Sequence, residues 1–531
     1  MSNQPLKSKE TCATALQNEQ ELKSFLSPIA AKLKSICKTF HTNLSYYFYD
    51  SGTGKVIQCN SIVYEILNVW ERSGEYERAF SIPVTSRDVI ISNLNDLCSM
   101  IRSEHILSAN PVTEFYVRPD IMDYINSHVN MLTLELTEKC NLRCKYCIYQ
   151  EFNEGYRGYG TYDMTFDTAK HAIDFLIEHS SGIESSKKLI LTFYGGEPLL
   201  QFDLIKKCVD YAESRHTGHE WLFAITTNCT LLTEEKIRFF AEKKFTLTAS
   251  IDGYKESHDA NRVYPNGEGS FDIAISNLKK LALTYQEHGI DGPYISINAV
   301  ITPPYDFERI DKLQAFFHSL DWLPETARIT WAYAQSGPPE IEDLKAGIES
   351  EIYRTEHAEP IDLDPISEWH YEHMLSSENK LFTSESEMRS LMVVHDRLIT
   401  DFPTKVTPLN ACCIPGSRRV YVTAHGSLKV CERIGESPDI GDVYNGIDYD
   451  ALKKHYFDEY IELSLPICNN CWSVRMCPLC YMYSYGKDGL DMNKKRLSCA
   501  RARFLNERAL VRYHELLETN PEALEELLKV N

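Results

Sequence analysis

Cys140-Asn-Leu-Arg-Cys144-Lys-Tyr-Cys147 is the stretch that decides how this chain of 531 residues is interpreted. Its Cys-x3-Cys-x2-Cys spacing offers three thiolates, one fewer than the four ligands that normally close a structural zinc site. Thiolates select iron and zinc, so a chance run of small buried cysteines is a weak explanation. A cluster bound by only three protein thiolates keeps one iron available for chemistry. The run therefore predicts a reactive iron-sulfur centre.

The residues that precede this run predict where it lies in the fold. Leu132-Thr-Leu-Glu-Leu136 alternates apolar and polar residues, as a strand does, and leads directly into Cys140. The thiolates are thus expected on the loop after the carboxyl end of a strand. Active sites of βα barrels lie at that end.

A second motif, Gly195-Gly196-Glu197-Pro198, follows the next predicted strand. Together with the Cys-x3-Cys-x-aromatic-Cys run, it resembles the radical S-adenosylmethionine (SAM) enzymes. The resemblance implies that Cys140, Cys144 and Cys147 hold a [4Fe-4S] cluster. It also implies that the amino and carboxylate groups of SAM ligate the fourth iron.

Length and composition are compatible with such an enzyme. A chain of 531 residues exceeds what one core usually holds, so two to four folded units are expected. The formal net charge of -21 argues against nucleic acid as a partner, because phosphate backbones require a surplus of Lys and Arg. No apolar run is long enough to cross a bilayer, so we expect no membrane partner and a cytoplasmic location. Seventeen cysteines in that compartment indicate metal or redox use rather than disulfides.

Strand-like segments alternate with helical patterns through the middle of the chain, which predicts a parallel α/β sheet with crossover helices. The resemblance implies that this sheet is a partial (βα)6 barrel. The residues themselves leave an open barrel and a doubly wound sheet as alternatives. The predicted strands are residues 132–136, 189–193, 222–226, 246–251, 294–300 and 328–334.

The resemblance also implies a set of SAM-contacting residues after these strands. Gly195 and Gly196 would let the backbone approach SAM closely, and Glu197 would accept a hydrogen bond from its ammonium group. A tight turn, a half-buried aromatic residue and a surface arginine are the structural alternatives for the glycines, Tyr146 and Arg262. The remaining assignments are Asn228, Ser250 and Asp252 for the ribose and methionyl parts of SAM, Tyr146 for the adenine and Arg262 for the carboxylate, with Asp252 partly structural.

The last third of the chain carries a second group of cysteines, which resembles the SPASM extension of radical SAM enzymes with its two auxiliary [4Fe-4S] clusters. Two zinc ribbons are the alternative, but the x5 gap between the two Cys-x2-Cys pairs makes their closure awkward. By position, the resemblance assigns Cys413, Cys431 and Cys480 to one cluster, and Cys468, Cys471, Cys477 and Cys499 to the other.

The first auxiliary cluster departs from the family pattern. Only three ligands are clear, and the spacing before Cys480 is one residue shorter than usual. Cys412 is a candidate fourth ligand, although adjacent residues rarely reach one metal without strain. The alternative is an open iron able to bind a substrate thiolate, and we favour this open site.

About 130 residues precede the predicted barrel. Residues 45–49 and 55–59 predict a hairpin, Asn60 predicts the cap of a helix through Trp70, and a second helix is expected over 85–106. This order is similar to the winged-helix-like element with which peptide-modifying enzymes bind a leader segment, usually as an added edge strand. A cap that only packs on the barrel is the alternative.

These observations divide the chain into six predicted parts. They are an N-terminal helical tail (1–40), a leader-peptide-binding element (41–125), the radical SAM barrel core (126–335), an acidic insertion or linker (336–405), the SPASM auxiliary-cluster domain (406–505) and a C-terminal helix (506–531).

The resemblance implies a radical SAM/SPASM maturase that installs an intramolecular crosslink, with a thioether favoured, in a ribosomally synthesised peptide. SAM cleavage would yield a 5′-deoxyadenosyl radical that takes hydrogen from the substrate, which must seal the site against water. The implied partners are a precursor peptide with a leader segment and a reductant such as flavodoxin or ferredoxin. No residue is assigned a catalytic role.

Three alternatives stay open. A carbon-carbon crosslinking maturase uses the same parts. An anaerobic sulfatase-maturating enzyme, which forms formylglycine, resembles the barrel and cluster domain but does not need the long N-terminal region. A non-catalytic electron-transfer or zinc-binding protein is the alternative from a different class.

Overall fold

The computed structural model describes residues 18–83, 86–109, 112–151, 155–215, 217–302, 306–333, 368–369, 371–372, 385–409 and 413–525. These residues form an N-terminal α/β element, a central sheet with crossover helices and a cysteine-rich C-terminal region. Across this described part of the chain, no helix combines the length and the apolar character needed to span a bilayer.

The N-terminal element packs three helices on a three-stranded antiparallel sheet. The Asn60 side chain begins the second helix by accepting hydrogen bonds from the backbone N–H groups of Ile62 and Val63, as predicted. Leu26 and Trp70 are fully buried between the helices. The elements are α1 (Glu19–Ile36), β1 (Cys37–His41), β2 (Tyr46–Asp50), β3 (Val56–Cys59), α2 (Ser61–Ser73) and α3 (Arg87–Glu104).

The observed N-terminal element corrects two expectations. Helix α1 is not a tail, because its apolar face is buried in the same core as α2 and α3. The predicted boundary at residue 40 falls inside β1, a strand that the sequence patterns missed. The predicted hairpin is the antiparallel β2–β3 pair, and the predicted second helix is α3, although residue 85 lies outside the described residues.

The central sheet contains all six predicted strands as parallel neighbours in the order β10-β9-β8-β7-β6-β5. Two short elements, β4 (Glu114–Tyr116) and α4 (Ile121–Ser127), precede it. The sheet and its crossover helices are β5 (Val129–Thr137), α5 (Phe166–Glu178), β6 (Leu189–Gly195), α6 (Phe202–Ser214), β7 (Trp221–Thr227), α7 (Glu234–Glu242), β8 (Thr246–Ser250), α8 (Lys255–Asp259), α9 (Phe271–Glu287), β9 (Ile295–Ile301), α10 (Phe307–His318) and β10 (Arg328–Tyr333).

The order of the strands and their burial decide between the two sheet architectures. Strand order never reverses along the six strands, whereas a doubly wound sheet has a reversal point. One face packs on the helices and is buried, and the other is only half-buried. The sheet is therefore singly wound, as in a βα barrel. The buried face includes Leu191, Phe193, Ile225, Leu247 and Ile297, and the half-buried face includes Thr192, Thr226, Thr248, Ser250 and Asn298.

The C-terminal region joins the other edge of this sheet. Strand β12 pairs in parallel with β5 and carries β13 antiparallel to it, so that the described sheet has eight strands. The elements are α11 (Glu385–His395), β11 (Val406–Pro408), β12 (Arg418–Val422), β13 (Leu428–Lys429), β14 (Gly441–Asp442), β15 (Gly446–Ile447), α12 (Tyr449–Lys453), α13 (Glu459–Cys468), β16 (Tyr485–Gly486), β17 (Gly489–Leu490), α14 (Met492–Thr519) and α15 (Glu522–Glu525).

Helix α14 changes the predicted C-terminal division. It begins at Met492, inside the range expected for the cluster domain, and so carries Cys499 on the helix that also packs against β1 and α11. Leu391 and Val394 of α11 are fully buried against it, although the sequence placed them in a linker. Most of the predicted insertion at 336–405 lies outside the described residues.

Candidate functional site

The three cysteines lie on the loop that follows β5, at the carboxyl edge of the parallel strands, as predicted. The backbone N–H of Leu142 donates to the sulfur of Cys140 at 3.4 Å, and the N–H of Cys147 donates to the carbonyl of Cys144 at 3.1 Å. All three cysteine residues are half-buried. The loop therefore presents its sulfurs at the edge where the half-buried sheet face ends.

Two neighbouring strand ends hold this loop in place. The backbone N–H groups of Arg143 and Lys145 donate to the carbonyls of Val263 and Asn261, beyond β8, at 2.7 and 3.0 Å. On the other side, the Asn141 side chain donates to Thr230 at 2.8 Å and accepts from Asn228 at 2.9 Å. The predicted SAM residue Asn228 is thus buried and joins the cluster loop to the end of β7.

Burial raises the pKa of two of the three thiols. Burial raises the pKa of Cys140 to about 12, and the Glu197 carboxylate adds to the rise. Burial also raises the pKa of Cys144 to about 12, against the opposing charge of Arg262. Thiols of this kind ionise only when a metal takes the place of the proton.

The positions of the potential metal ligands can be compared with those that a zinc site requires. Within the described ranges, no three His, Cys, Asp or Glu side chains are placed to hold a single metal ion. A zinc site needs such convergence on one ion, whereas each thiolate of a four-iron cluster binds a different iron.

Glycine is required where β6 meets the cluster loop. A Cβ atom on Gly196 would lie 2.1 Å from the carbonyl oxygen of Lys139, which is closer than any real contact. Gly195 has a φ of 130°, and its Cβ atom would lie 2.5 Å from the carbonyl of Thr137. The two glycines therefore let the end of β6 dock against β5, a packing requirement that is separate from the tight turn considered as an alternative.

Glu197 is buried, and internal hydrogen bonds already engage its carboxylate. It accepts from the hydroxyl of Thr227 at 2.8 Å and from the backbone N–H groups of Asn228 and Leu199 at 2.9 and 3.1 Å. Burial raises its pKa, and these hydrogen bonds oppose the rise. Glu197 thus ties β6 to β7, and its contact with the ammonium group of SAM stays a prediction.

A buried ion pair lies beneath the cluster loop. Arg262 donates from Nε to Asp252 at 2.9 Å, and its Nη1 lies 4.0 Å from the sulfur of Cys144. Asp252 also accepts from the hydroxyl of Tyr146 and, at 2.9 Å, from the backbone N–H of Val300. Arg262 is therefore not a surface arginine, and Asp252 is strongly structural. The proposed contact of Arg262 with the SAM carboxylate must use guanidinium nitrogens other than Nε.

His258 supports this pair, although nothing in the sequence pattern marked it. The backbone N–H of Asp252 donates to its Nδ1 at 3.3 Å, so Nε2 carries the proton and donates to Ser270 at 3.0 Å. Burial lowers the pKa of His258 to about 4, and the charge of Arg262 adds to this effect. A neutral imidazole thus holds the start of the loop after β8.

The inner half-buried face carries polar residues that the sequence reasoning missed. Glu135 of β5 forms an ion pair with Arg157, whose Nε donates to it at 2.5 Å. Arg157 lies 3.8 Å from the ring centroid of Tyr149. Ser250 ends β8 on this face, and its hydroxyl makes no hydrogen bond to another described residue. The strand alternation of 132–136 contained the signal for Glu135, since its polar positions share one face.

Four cysteines of the second group line one cavity of about 370 Å³. Cys468 ends α13, Cys499 lies in α14, and the other two lie on the irregular segment between these helices. Burial raises the pKa of Cys477 to about 12, and the other three thiols add to the rise. The structure thus brings together the set Cys468, Cys471, Cys477 and Cys499, and its donor atoms and volume fit a four-iron cluster.

The remaining cysteines are less closely defined. The pKa of Arg419 is raised because Glu432, Cys431 and Cys413 together outweigh the effect of its burial, so both thiols lie near this guanidinium. Cys480 precedes a short 3-10 helix, and Cys412 lies outside the described residues. The grouping of Cys480 with Cys413 and Cys431 stays a prediction, as does the choice between Cys412 and an open iron.

Comparison with known proteins agrees with this site. Residues 134–317 match the Radical SAM superfamily, a range that contains the cluster loop and strands β6 to β9. The chain carries a Radical SAM domain. This domain and the maturases that it resembles indicate that the protein is an enzyme.

Two curated relatives and one solved structure extend the comparison. The chain is 27% identical over 198 residues to a cysteine-type anaerobic sulfatase-maturating enzyme of Clostridium novyi, covering 36% of this chain and 49% of the relative. It is 33% identical over 173 residues to the mycofactocin maturase MftC of Mycobacterium tuberculosis, covering 32% and 37%. The chain thus spans about half or less of these relatives. The structure of anSMEcpe with bound AdoMet (SAM) has a TM-score of 0.50 at 17% identity, covers 76% of this chain and all of that one, and shows a shared fold.

Proposed function

We propose that this enzyme is a radical SAM maturase that installs an intramolecular crosslink, specifically a thioether, in a ribosomally synthesised peptide. The observation that carries the proposal is the loop of three half-buried cysteine residues at the carboxyl edge of a singly wound sheet. When bound, the [4Fe-4S] cluster and SAM supply a 5′-deoxyadenosyl radical for hydrogen abstraction from the substrate. The half-buried face of the sheet offers the surface on which a substrate can lie.

The residues around the loop have distinct proposed roles. Cys140, Cys144 and Cys147 hold the cluster. Glu197 and Asn228 connect the strand ends that hold the loop, and both positions are suited to orient the methionyl part of SAM. Further contacts with SAM are proposed for Gly195, Gly196, Tyr146, Ser250, Asp252 and Arg262.

Tyr194 extends this arrangement towards the C-terminal region. It ends β6 on the inner face, and burial raises its pKa, with the charges of Glu432, Cys147 and Cys431 adding to the rise. The side chain is therefore within electrostatic reach of both cysteine regions.

The cysteine-rich region would supply two auxiliary [4Fe-4S] clusters. Cys468, Cys471, Cys477 and Cys499 hold the second, and Cys413, Cys431 and Cys480 hold the first with either Cys412 or an open iron. Removal of one electron from the product radical makes the crosslink a net oxidation. The electron is returned to a carrier such as flavodoxin or ferredoxin, and a cytoplasmic location keeps the thiols reduced.

The N-terminal element is the proposed site for the leader segment of the precursor. Among the described strands, β3 forms one edge of the three-stranded sheet, and an added strand would pair with it there. The sheet also contacts helix α14, which carries Cys499. Helix α14 therefore connects the proposed leader-binding element with the proposed cluster region.

Formylglycine formation is the second candidate function. It is favoured by the sequence similarity to sulfatase-maturating enzymes and by the fold shared with anSMEcpe. A carbon-carbon crosslink uses the same residues as the thioether and differs only in the product.

One experiment separates these products. The protein is co-expressed without oxygen with a short open reading frame from the neighbouring DNA, and the peptide is analysed by mass spectrometry. Loss of two hydrogens together with loss of one alkylatable thiol supports the thioether. Loss of two hydrogens with all thiols retained supports a carbon-carbon bond, and loss of sulfur supports formylglycine. An unmodified peptide with no SAM cleavage contradicts the proposal.

A further inference from the structure

Helix α14 buries a lysine that has no carboxylate partner. Lys495 is 0% exposed, and its ammonium group donates to the hydroxyl of Tyr460 at 3.1 Å and lies 4.3 Å from the centroid of that ring. Over the part of the chain that the structure describes, no Asp or Glu forms an ion pair with it. Burying an uncompensated ammonium group is costly, so this position requires an explanation.

Two other buried or largely buried cations have a carboxylate partner. Lys38 pairs with Glu71 at 3.0 Å and with Glu507 at 3.1 Å. Arg262 pairs with Asp252 at 2.9 Å. These pairs follow the general rule that buried charges are matched by an opposite charge. Among the described residues, Lys495 has no such partner, and the charge that could balance it is an anion bound nearby.

The cavity of four cysteines lies where this counter-charge is needed. Lys495 is one helical turn before Cys499 and Arg503 is one turn after it, so the three share one side of α14. Arg496 and Arg503 line the cavity, and no carboxylate lines it among the described residues. Lys495 is not itself a lining residue, but its charge opposes the rise in the pKa of Cys499 that burial causes. These positive charges lie around the cavity although the chain as a whole has a formal net charge of -21.

We propose that Lys495 is the fixed counter-charge of the cluster held by Cys468, Cys471, Cys477 and Cys499, and that it raises the reduction potential of that cluster. The inference rests on the proposed function, which places a cluster there. A four-iron cluster with four thiolates is anionic, and adding one electron makes it more negative by one charge without forming or breaking a bond. The buried positive charge therefore stabilises the reduced form more than the oxidised form. Lys495 acts through the cluster and is a positioning residue.

The test uses the full chain carrying Cys140→Ala, Cys144→Ala and Cys147→Ala, so that only auxiliary clusters contribute to the signal. Lys495→Met, Lys495→Gln and Lys495→Arg are reconstituted with iron and sulfide and titrated with dithionite under electron paramagnetic resonance. At a fixed potential, Lys495→Met should shift the ratio of reduced to oxidised cluster about tenfold towards oxidised, or about 59 mV for a one-electron couple. Lys495→Arg should stay close to the parent.

A matched control removes an exposed charge from the same helix. Arg501→Gln lies on the exposed side of α14, and its smaller effect should vanish at high salt, whereas the effect of Lys495→Met should persist. A full iron content with an unchanged potential in Lys495→Met overturns the inference.

Loss of the cluster is also informative. If Lys495→Met and Lys495→Gln lose the cluster and Lys495→Arg retains it, the result supports the counter-charge role, because the positive charge is then required for cluster binding. Loss in all three variants indicates a packing role and overturns the inference. If the parent itself binds no cluster at these four cysteines, the proposed function fails rather than the role of Lys495 alone.

Discussion

The two cysteine sites bury their nearby positive charges in different ways. Under the Cys140–Cys147 loop, Arg262 is paired with Asp252, and the pair is held by Tyr146 and Val300. Beside the cavity at Cys499, the described residues give Lys495 a tyrosine hydroxyl and no carboxylate, and Arg503 lines the wall. The charges of the first site are thus balanced by its own side chains, which suits the exchange of SAM proposed there, whereas the positive charges of the second site suit the anionic cluster proposed for it.

Loss of one thiolate at the loop should give the largest effect. We expect Cys144→Ala to abolish SAM cleavage, because a cluster cannot be held at that site by two thiolates, while the auxiliary iron is retained. SAM cleavage is measured by chromatography of 5′-deoxyadenosine, and iron by chemical analysis. Cys208→Ala, at a buried core cysteine, is the matched control and should cleave SAM normally. Cleavage by Cys144→Ala would contradict the assignment of the loop.

Loss of a cysteine at the second site should reduce product formation more than SAM cleavage. Cys471→Ala is expected to keep some SAM cleavage and to lose the crosslinked product, since this cysteine lines the cavity of four. Mass spectrometry of the co-expressed peptide measures the product. Normal crosslinking by this variant would show that the cluster proposed for this cavity is not required for product formation.

Breaking the ion pair should show how much the first site depends on internal compensation. Asp252→Asn leaves Arg262 buried without a counter-charge, so the free energy of unfolding should fall by about 3–5 kcal/mol. Urea denaturation of the iron-free protein measures this loss. The exposed pair of Asp272 with Lys255 is the control, and Asp272→Asn should cost at most about 1 kcal/mol. Equal losses of unfolding free energy in the two variants would show that the buried pair contributes no more to stability than the exposed pair.

The neutral His258 should make the stability of the first site depend on pH. Its pKa in the folded protein is lowered to about 4, so the unfolded chain takes up a proton between about pH 6.5 and 4 while the folded protein does not. This contribution is present above the unfolded pKa and is lost as the pH falls, by up to about 3 kcal/mol.

His258→Asn can keep the hydrogen bond from the Asp252 N–H but not the one to Ser270, and it should flatten this part of the stability curve of the iron-free protein, as measured by urea denaturation at several pH values. His288→Asn, at an exposed histidine, should leave the curve unchanged. An unaltered slope in His258→Asn would show that the imidazole is not held neutral.

Local patterns were enough to predict much of this molecule. The six strands of the sheet, the cluster loop after β5 and the cap at Asn60 follow from alternation and short motifs, which are properties of neighbouring residues. Strand β1 and the start of α14 were missed, because burial against distant segments overrides weak local signals there.

The sequence by itself determined that three thiolates follow a strand and that two groups of cysteines are present. Only the tertiary structure decided that the sheet is singly wound, that Glu197 ties two strand ends and that Asp252 neutralises Arg262. The burial of Lys495 near the four-cysteine cavity likewise cannot be predicted from the sequence. The physical reason is that charge compensation and burial depend on residues far apart in sequence, whereas strand alternation and ligand spacing are written over a few neighbouring positions.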